Sequence, residues 1–437
     1  MLRDDLIPSR REMLKLSTCG VGAFAASGWM NLLAAHAASE TKKARKKACI
    51  LLWMDGGPSH HDTFDMKPDA PADIRGEYKP IDTSVPGLQI TEKLPTLAKQ
   101  MHHAAILRGM STGEAEHGRA RLYLHTGYKQ GAAGLNYPTI GSMITAAAGH
   151  AQGEMPNFVV TGMHLNPANW SYVSSPGHLG PRHTPLIVAD PKSGVPNLKA
   201  TAEAADMTER LNALNQLSKG FLREYPTPAA NAQTTVYQRA LQLMRSDKSK
   251  SFDLSQEKES VRQAYGDHSF GQGCLLARRL VEAGVPFIEV YHSPTAGGWD
   301  NHNAQRTNEL KTLALPQLDQ GMSALISDLH DRGMLESTLV IWMGEFGRTP
   351  KVKPDGGRDH YGRAWTTMLM GGGVKGGQII GKTDKTGGTV EERPISAVDF
   401  MATVCHILDV DATTQFKIGE RPVRMIDKGA NPVKEVM

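Results

Sequence analysis

Short, unbroken apolar runs punctuate the chain, and helical periodicity fills much of the space between them. Residues 49–54 are apolar without alternation, the pattern of a strand buried on both faces. Residues 104–107, 158–161, 185–188, 286–291, 338–343 and 365–370 repeat that pattern. Helical spacing marks 94–101, 119–125 and 303–329, and also 396–408, where Ser396 stands as the cap. From about 200 to 284, Leu, Met and Ala recur at helical intervals among charged residues. That stretch predicts three or four consecutive helices that cover the sheet and shape the mouth of a cleft. Strands alternating with helices predict an α/β fold, a mostly parallel sheet with helices on both faces.

Composition narrows the class. The 437 residues are 40% hydrophobic and 22% charged, an ordinary globular balance. No internal stretch is apolar enough to span a membrane, so no stable span is expected once a signal is removed. The net charge is +4, and the run Lys42-Lys43-Ala44-Arg45-Lys46-Lys47 carries five positive charges. The rest is close to balanced, and no nucleic-acid surface is expected. The start of the chain reads as an address. Ser9-Arg10-Arg11-Glu12-Met13-Leu14-Lys15 has the form of a twin-arginine signal, followed by a weakly apolar stretch and the small-x-small site Ala35-His36-Ala37. This predicts a signal peptide over 1–38, a basic linker over 39–47 and one domain over 48–437, delivered folded to the periplasm or cell envelope. Cys49, Cys274 and Cys405 lack metal spacing and are expected to be buried packing residues.

The candidate chemistry lies just past the end of each apolar run. In open parallel sheets, ligands bind beyond the carboxyl ends of the strands. After 49–54 come Asp55, His60, His61 and Asp62, and after 104–107 come Glu114, Glu116 and His117. After 286–291 come Asp300 and His302, and after 338–343 come Glu345 and Arg348. Asp359 and His360 then precede the next run. Each group has a plainer explanation: Asp55 and Asp62 as turn caps, Asp359-His360 as a hydrogen-bonded pair. His60 and His61, being adjacent, are expected to point apart, with one in solvent. Converging on one edge, however, mixed carboxylate and imidazole donors predict a catalytic type of site for zinc, manganese or iron. Arg119, Arg121, Arg348, Arg358 and Arg363 accompany the acids, and guanidinium forks match phosphate or sulfate oxygens.

Four motifs, taken in order, resemble the signatures of a bacterial family exported by the twin-arginine route, domain of unknown function 1501. They are Asp55-Gly-Gly-Pro-Ser-His60, Trp299-Asp-Asn-His302, Gly344-Glu-Phe-Gly-Arg-Thr-Pro350 and Gly357-Arg-Asp-His360. The resemblance covers nearly the whole mature chain and implies a fold similar to the alkaline phosphatase and sulfatase superfamily. On that comparison Asp55 resembles the metal-binding acid that ends the first strand, with Asp62 as its rival. Asp300 and His302 resemble an acid–histidine pair on one metal, and His360 a final histidine ligand. Glu345-Phe346 stands where an Asp-His pair is usual. His117 falls where sulfatases carry the Cys or Ser that becomes formylglycine, with Arg121 in register. The chain is therefore expected not to be an ordinary sulfatase, and His117 is open as nucleophile, general acid or base, or ligand.

Two functions are expected on these grounds. The first is an exported hydrolase of phosphate or sulfate esters on an anionic small molecule or polysaccharide. It would use a divalent transition metal held by Asp55, Asp300, His302, Glu345, Asp359 and His360, with His117, Arg121 and Arg348 catalytic. The second is a catalytically degenerate envelope protein that binds an anionic polysaccharide or a partner protein.

Overall fold

The computed structural model describes residues 47–149, 153–162, 174–198, 204–224 and 228–437. The signal over 1–38 and nearly all of the linker lie outside the described residues. Eight strands form the main sheet: β1 (Ala48–Met54), β2 (Ala104–Met110), β3 (Phe158–Thr161), β4 (Leu186–Val188), β5 (Phe287–His292), β6 (Thr338–Met343), β7 (Trp365–Met370) and β8 (Gln378–Ile380). Their order across the sheet is β8-β2-β7-β6-β1-β5-β3-β4. Every pairing is parallel except those of β7, which runs against both β2 and β6. β1 lies in the middle, in register Leu51↔Glu289 with β5 and Leu51↔Ile341 with β6.

Among the described residues, the α-helices of seven residues or more are α1 (His117–Thr126), α2 (Ile140–Ala147), α3 (Ala204–Glu224), α4 (Pro228–Arg245), α5 (Glu259–Tyr265), α6 (Ser269–Ala283), α7 (Leu315–Asp331) and α8 (Ala397–Ile407). One face of the sheet packs Ile50, Leu52, Ile288 and Val290 against α6 and α7. The other packs Leu51, Trp53, Phe287 and Ile341 against α2 and α8. Alternate residues of a strand point to opposite faces, so a strand covered on both sides has no polar positions to spare. β1, β5, β6 and β7 are buried throughout. Each large apolar side chain so enclosed contributes roughly 1.5–3 kcal/mol. Cys49, Cys274 and Cys405 are buried and free, as their surroundings predict.

Two elements depart from the sequence pattern. The stretch 94–101 forms only a short helical turn, Pro95–Ala98, followed by the 3₁₀ turn Met101–His103. The long helix expected over 303–329 begins as Ala304–Glu309, widens into a π turn over Leu310–Ala314 and continues as α7. Pro316, which has no N–H to give, is the second residue of α7, two positions past that turn. Of the helices in 200–284, α6 lies on the sheet against β5, while the described side chains of α3 are mostly exposed.

The reversal of β7 positions the site. Residues before a parallel strand would sit at the wrong edge; those before β7 sit at the carboxyl edge of β1, β5 and β6. A two-residue ribbon, Gly347–Arg348 against His360–Tyr361, carries His360 back to that edge. The loop after β5 is stitched to it: Trp299 N donates to Asp55 O (2.7 Å), Arg358 N to Asn301 O (3.0 Å) and Ala304 N to Asp355 O (2.7 Å). Gly56 makes this approach possible. Its φ is +109°, and a Cβ there would stand 2.6 Å from the backbone nitrogen of Asp300. Gly56→Ala is therefore expected to lower unfolding free energy by about 2 kcal/mol or more. Urea denaturation checks this, and a change within experimental error would show that the loop gives way without cost.

Candidate metal centre

Each ligand-type side chain at this edge is held by the element behind it. His117 is the first residue of α1, whose N-cap, Glu116, accepts from Gly118 N and Arg119 N, and whose end is closed by left-handed Gly127. Asp300 and His302 lie in the loop after β5, and His360 in the ribbon before β7.

Four of these groups meet. Donor atoms of His117, Asp300 and His360 all lie within 4.8 Å of one another. His302 Nε2 is 2.8 Å from His360 Nε2 and 3.0 Å from Asp300 Oδ1. His360 Nε2 is 3.2 Å from Asp300 Oδ1, and His117 Nε2 is 3.5 Å from Asp300 Oδ2. These side chains are 22–35% exposed, so the cluster is open to solvent on one side.

The far nitrogens of the three imidazoles are all engaged by acceptors. His117 Nδ1 donates to Glu345 Oε1 (2.6 Å), His302 Nδ1 to Asp359 Oδ1 (3.1 Å) and His360 Nδ1 to Ala115 O (2.9 Å). A backbone carbonyl and two carboxylates can only accept, which assigns the hydrogen to Nδ1 in each ring. The neutral rings then turn three Nε2 lone pairs toward each other and toward the Asp300 carboxylate. That arrangement is repulsive until a proton or a cation enters it. It is also the way in which outer partners fix the tautomer of metal-binding histidines.

Charges at the site result from this crowding. Burial alone would lower the His117 pKa, but the Asp300 and Glu345 carboxylates outweigh it and raise it to about 9. Burial opposes ionisation of Asp300, yet His117, His360 and Arg348 hold its carboxyl far below the usual carboxylate range. Glu345, likewise penalised by burial, is held below the usual range by His117 and Arg121. Asp55 moves the other way, raised by burial and by Glu345 against the pull of Arg121.

Three predicted ligands stand outside the cluster, Glu345 and Asp359 bonded directly to its histidines and Asp55 reaching it only through Arg121 and Glu345. Glu345 is fully buried, accepts from Gly56 N through both oxygens (3.0 and 3.2 Å) and lies 3.5 Å from Arg121. Asp55 takes Arg121 Nε at 2.7 Å and Trp53 Nε1 at 3.4 Å. Asp359 sits between His302 and Lys353, the latter at 3.0 Å. Arg348, expected to face an anion, is fully buried. Its guanidinium donates to the carbonyls of Gly56, Gly57 and Arg358, and meets Asp300 Oδ1 at 2.5 Å. Asp62 pairs with buried Arg358 at 3.1 Å, and exposed Arg119 pairs with Glu114.

The expectation for His60 and His61 is corrected. Neither reaches solvent. They contact the carbonyls of Gly387 (2.9 Å) and Thr386 (2.7 Å), and burial lowers their pKa values to about 3 and about 4. Two neutral imidazoles thus anchor a turn. Sequence reasoning also passed over His125 and Glu289, a fully buried pair at 3.1 Å. Their signals were the four-residue spacing His117, Arg121, His125 and an acid inside an apolar run.

Fold and site together define an α/β protein with a histidine–carboxylate cluster of metal-ligand spacing at the carboxyl edge of a mostly parallel sheet. Residues 46–437 match the family described as protein of unknown function DUF1501, and the chain belongs to that family. No curated protein matches it. Among solved structures it is similar to the sulfatase PsFucS1 from Pseudoalteromonas sp., at 14% identity over 88% of this chain and 72% of that one, with a TM-score of 0.40. It is also similar to the C-terminal periplasmic domain of EcEptC from Escherichia coli, solved with zinc (10% identity, 85% and 84% of the two chains, TM-score 0.39). A third is the phosphonate monoester hydrolase of Agrobacterium radiobacter (11%, 84% and 74%, TM-score 0.34).

The raised pKa of His117 has a measurable consequence in metal-free protein. A group bound more tightly to its proton in the folded state stabilises below its unfolded pKa, near 6.5, and that contribution is lost as pH rises through about 9. Between pH 6.5 and 9.5, metal-free wild type is expected to lose about 1–3 kcal/mol more stability than His117→Gln. Parallel pH profiles for the two proteins would contradict the assignment.

Proposed function

We propose that this chain is an exported, metal-dependent hydrolase of phosphate or sulfate esters, acting on an anionic small molecule or polysaccharide. The observation that carries the reading is the convergence of three Nε2 atoms on Asp300, each ring pinned at Nδ1 from behind. Three imidazoles and one carboxylate suit zinc, manganese or iron better than calcium or magnesium. His117, Asp300, His302 and His360 would hold the ion, with the open side of the cluster facing substrate. A bound divalent ion supplies Lewis acidity and lowers the pKa of a bound water. The superfamily resemblance of the motifs supports the same class of chemistry.

The protein groups have separable tasks in this reading. Glu345 keeps the proton of His117 on Nδ1 and leaves Nε2 facing the cluster. Arg348 fixes the Asp300 carboxylate and offsets part of its charge while staying out of the cleft. Asp359, half exposed and paired with Lys353, links His302 Nδ1 to solvent and gives protons a route in and out. His117, at the position where sulfatases carry their nucleophile, serves here as the fourth donor. The twin-arginine signal motif supports export in the folded, loaded state.

Elemental analysis of protein exported by its own host tests this, together with assays on p-nitrophenyl phosphate, phenylphosphonate and sulfate esters. About one transition-metal ion per chain is expected. Asp300→Asn and His360→Ala are expected to lose most of the metal and at least about 10³-fold in turnover. Metal-free, inactive wild type would instead support the envelope-binding alternative.

A further inference from the structure

Helix α1 has little aliphatic surface with which to grip the sheet: its buried aliphatic side chains are Ala120 and Leu124. Its inward stripe is ionic. His117, Arg121 and His125 are spaced four residues apart and so stack on successive turns of one face. Each meets an acid from a different strand: Glu345 after β6 at 2.6 Å, Asp55 after β1 at 2.7 Å, and Glu289 inside β5 at 3.1 Å. The first two contacts belong to the site already described. The third lies deeper and has no part in the proposed chemistry.

Both members of that third contact are fully buried. Glu289 sits between Phe287 and Tyr291 on the same face of β5, and its Oε2 has no hydrogen-bond partner among the described residues. His125 Nδ1 lies 2.9 Å from the carbonyl of Arg121, which can only accept, so Nδ1 carries hydrogen. One further proton is then shared between His125 Nε2 and Glu289 Oε1. The His125 ring also packs on Trp53, with centroids 4.2 Å apart, and Trp53 Nε1 points to Asp55. A buried acid–histidine pair is a costly way to attach a helix, because an apolar pair of similar size adheres without desolvating charge. What the ionic pair adds is direction: a helix resting on apolar side chains tolerates sliding, whereas this bond is made in one register only.

We propose that His125 and Glu289 are a positioning pair that locks the register of α1 on β5, and so places His117 and Arg121 at the strand ends. Part of the test rests on the metal reading above. Glu289→Ala is compared with Val290→Ala, a buried truncation on the opposite face of the same strand that leaves α1 untouched. Zinc affinity is measured on the full mature chain by competition with a chromophoric chelator, and hydrogen exchange is followed at amides 117–122. Glu289→Ala is expected to bind zinc at least about tenfold more weakly and to exchange those amides at least about tenfold faster than Val290→Ala, whose affinity stays within about twofold of wild type. Equal behaviour of the two variants in both readouts would reduce the pair to general stability and overturn the proposal. If wild type binds no zinc, the metal reading fails by itself, and the exchange comparison alone decides the positioning role. If Glu289→Ala does not fold, Glu289→Gln, which keeps the shape and loses the charge, is expected to weaken zinc binding about threefold; wild-type affinity and exchange there would overturn the proposal.

Discussion

A carboxylate with no contact to water sits just past the end of a central strand, and its neutralisation organises everything around it. Glu345 is fully buried. An isolated ionised acid in such a place would cost many kcal/mol, so it has to be surrounded by donors. Two segments supply three of them: Gly56 N from the turn after β1, and His117 and Arg121 from α1. Glu345 thereby fixes the turn after β1 and the start of α1 against the end of β6. Arg348 applies the same constraint with the opposite sign. It is enclosed by the carbonyls of Gly56, Gly57 and Arg358 and by Asp300, so the loop after β5 and the ribbon before β7 are fixed to the same point.

This arrangement separates groups that hold from groups that are held. The outer ring (Glu345, Asp359 and the Ala115 carbonyl) engages Nδ1 of three imidazoles and leaves Nε2 facing inward. Asp300 sits at the meeting point with its charge partly compensated by Arg348. Without a metal, the same crowding is relieved by a proton on His117, which is why its pKa is high while that of Asp300 is low. In the proposed reading, proton and cation would compete for one place, and a divalent ion would bring the more positive charge.

Much of this architecture is legible in the sequence. Unbroken apolar runs mark β1, β3, β5, β6 and β7 to within a residue or two, because strands covered on both faces cannot alternate. A parallel sheet puts the acids and histidines after these runs on a shared edge. The direction of β7 was not legible, since an apolar run has no polarity, yet it is what brings His360 to the right edge. The distinction between inner and outer groups was hidden as well. Whether Glu345 or Asp359 faces the cluster or supports a histidine depends on a few ångströms of side-chain reach. Arg348 misled for a related reason: a guanidinium after a buried strand suits an anion, but it suits converging backbone carbonyls equally. Glu289 and His125 did leave a trace, an acid inside an apolar strand and a four-residue spacing on a helix.

The central claim is that three histidines and Asp300, with Glu345 and Asp359 outside them, form one metal-binding centre. X-ray absorption spectroscopy of the protein carrying one equivalent of zinc reads the ligand shell directly. The expected spectrum shows nitrogen and oxygen neighbours at about 2.0–2.1 Å, with outer-shell scattering from three imidazole rings. His117→Ala, His302→Ala and His360→Ala should each remove one ring's contribution, and Glu345→Gln should leave the count at three. A shell without imidazole scattering, or one unchanged by all three histidine substitutions, would contradict the account.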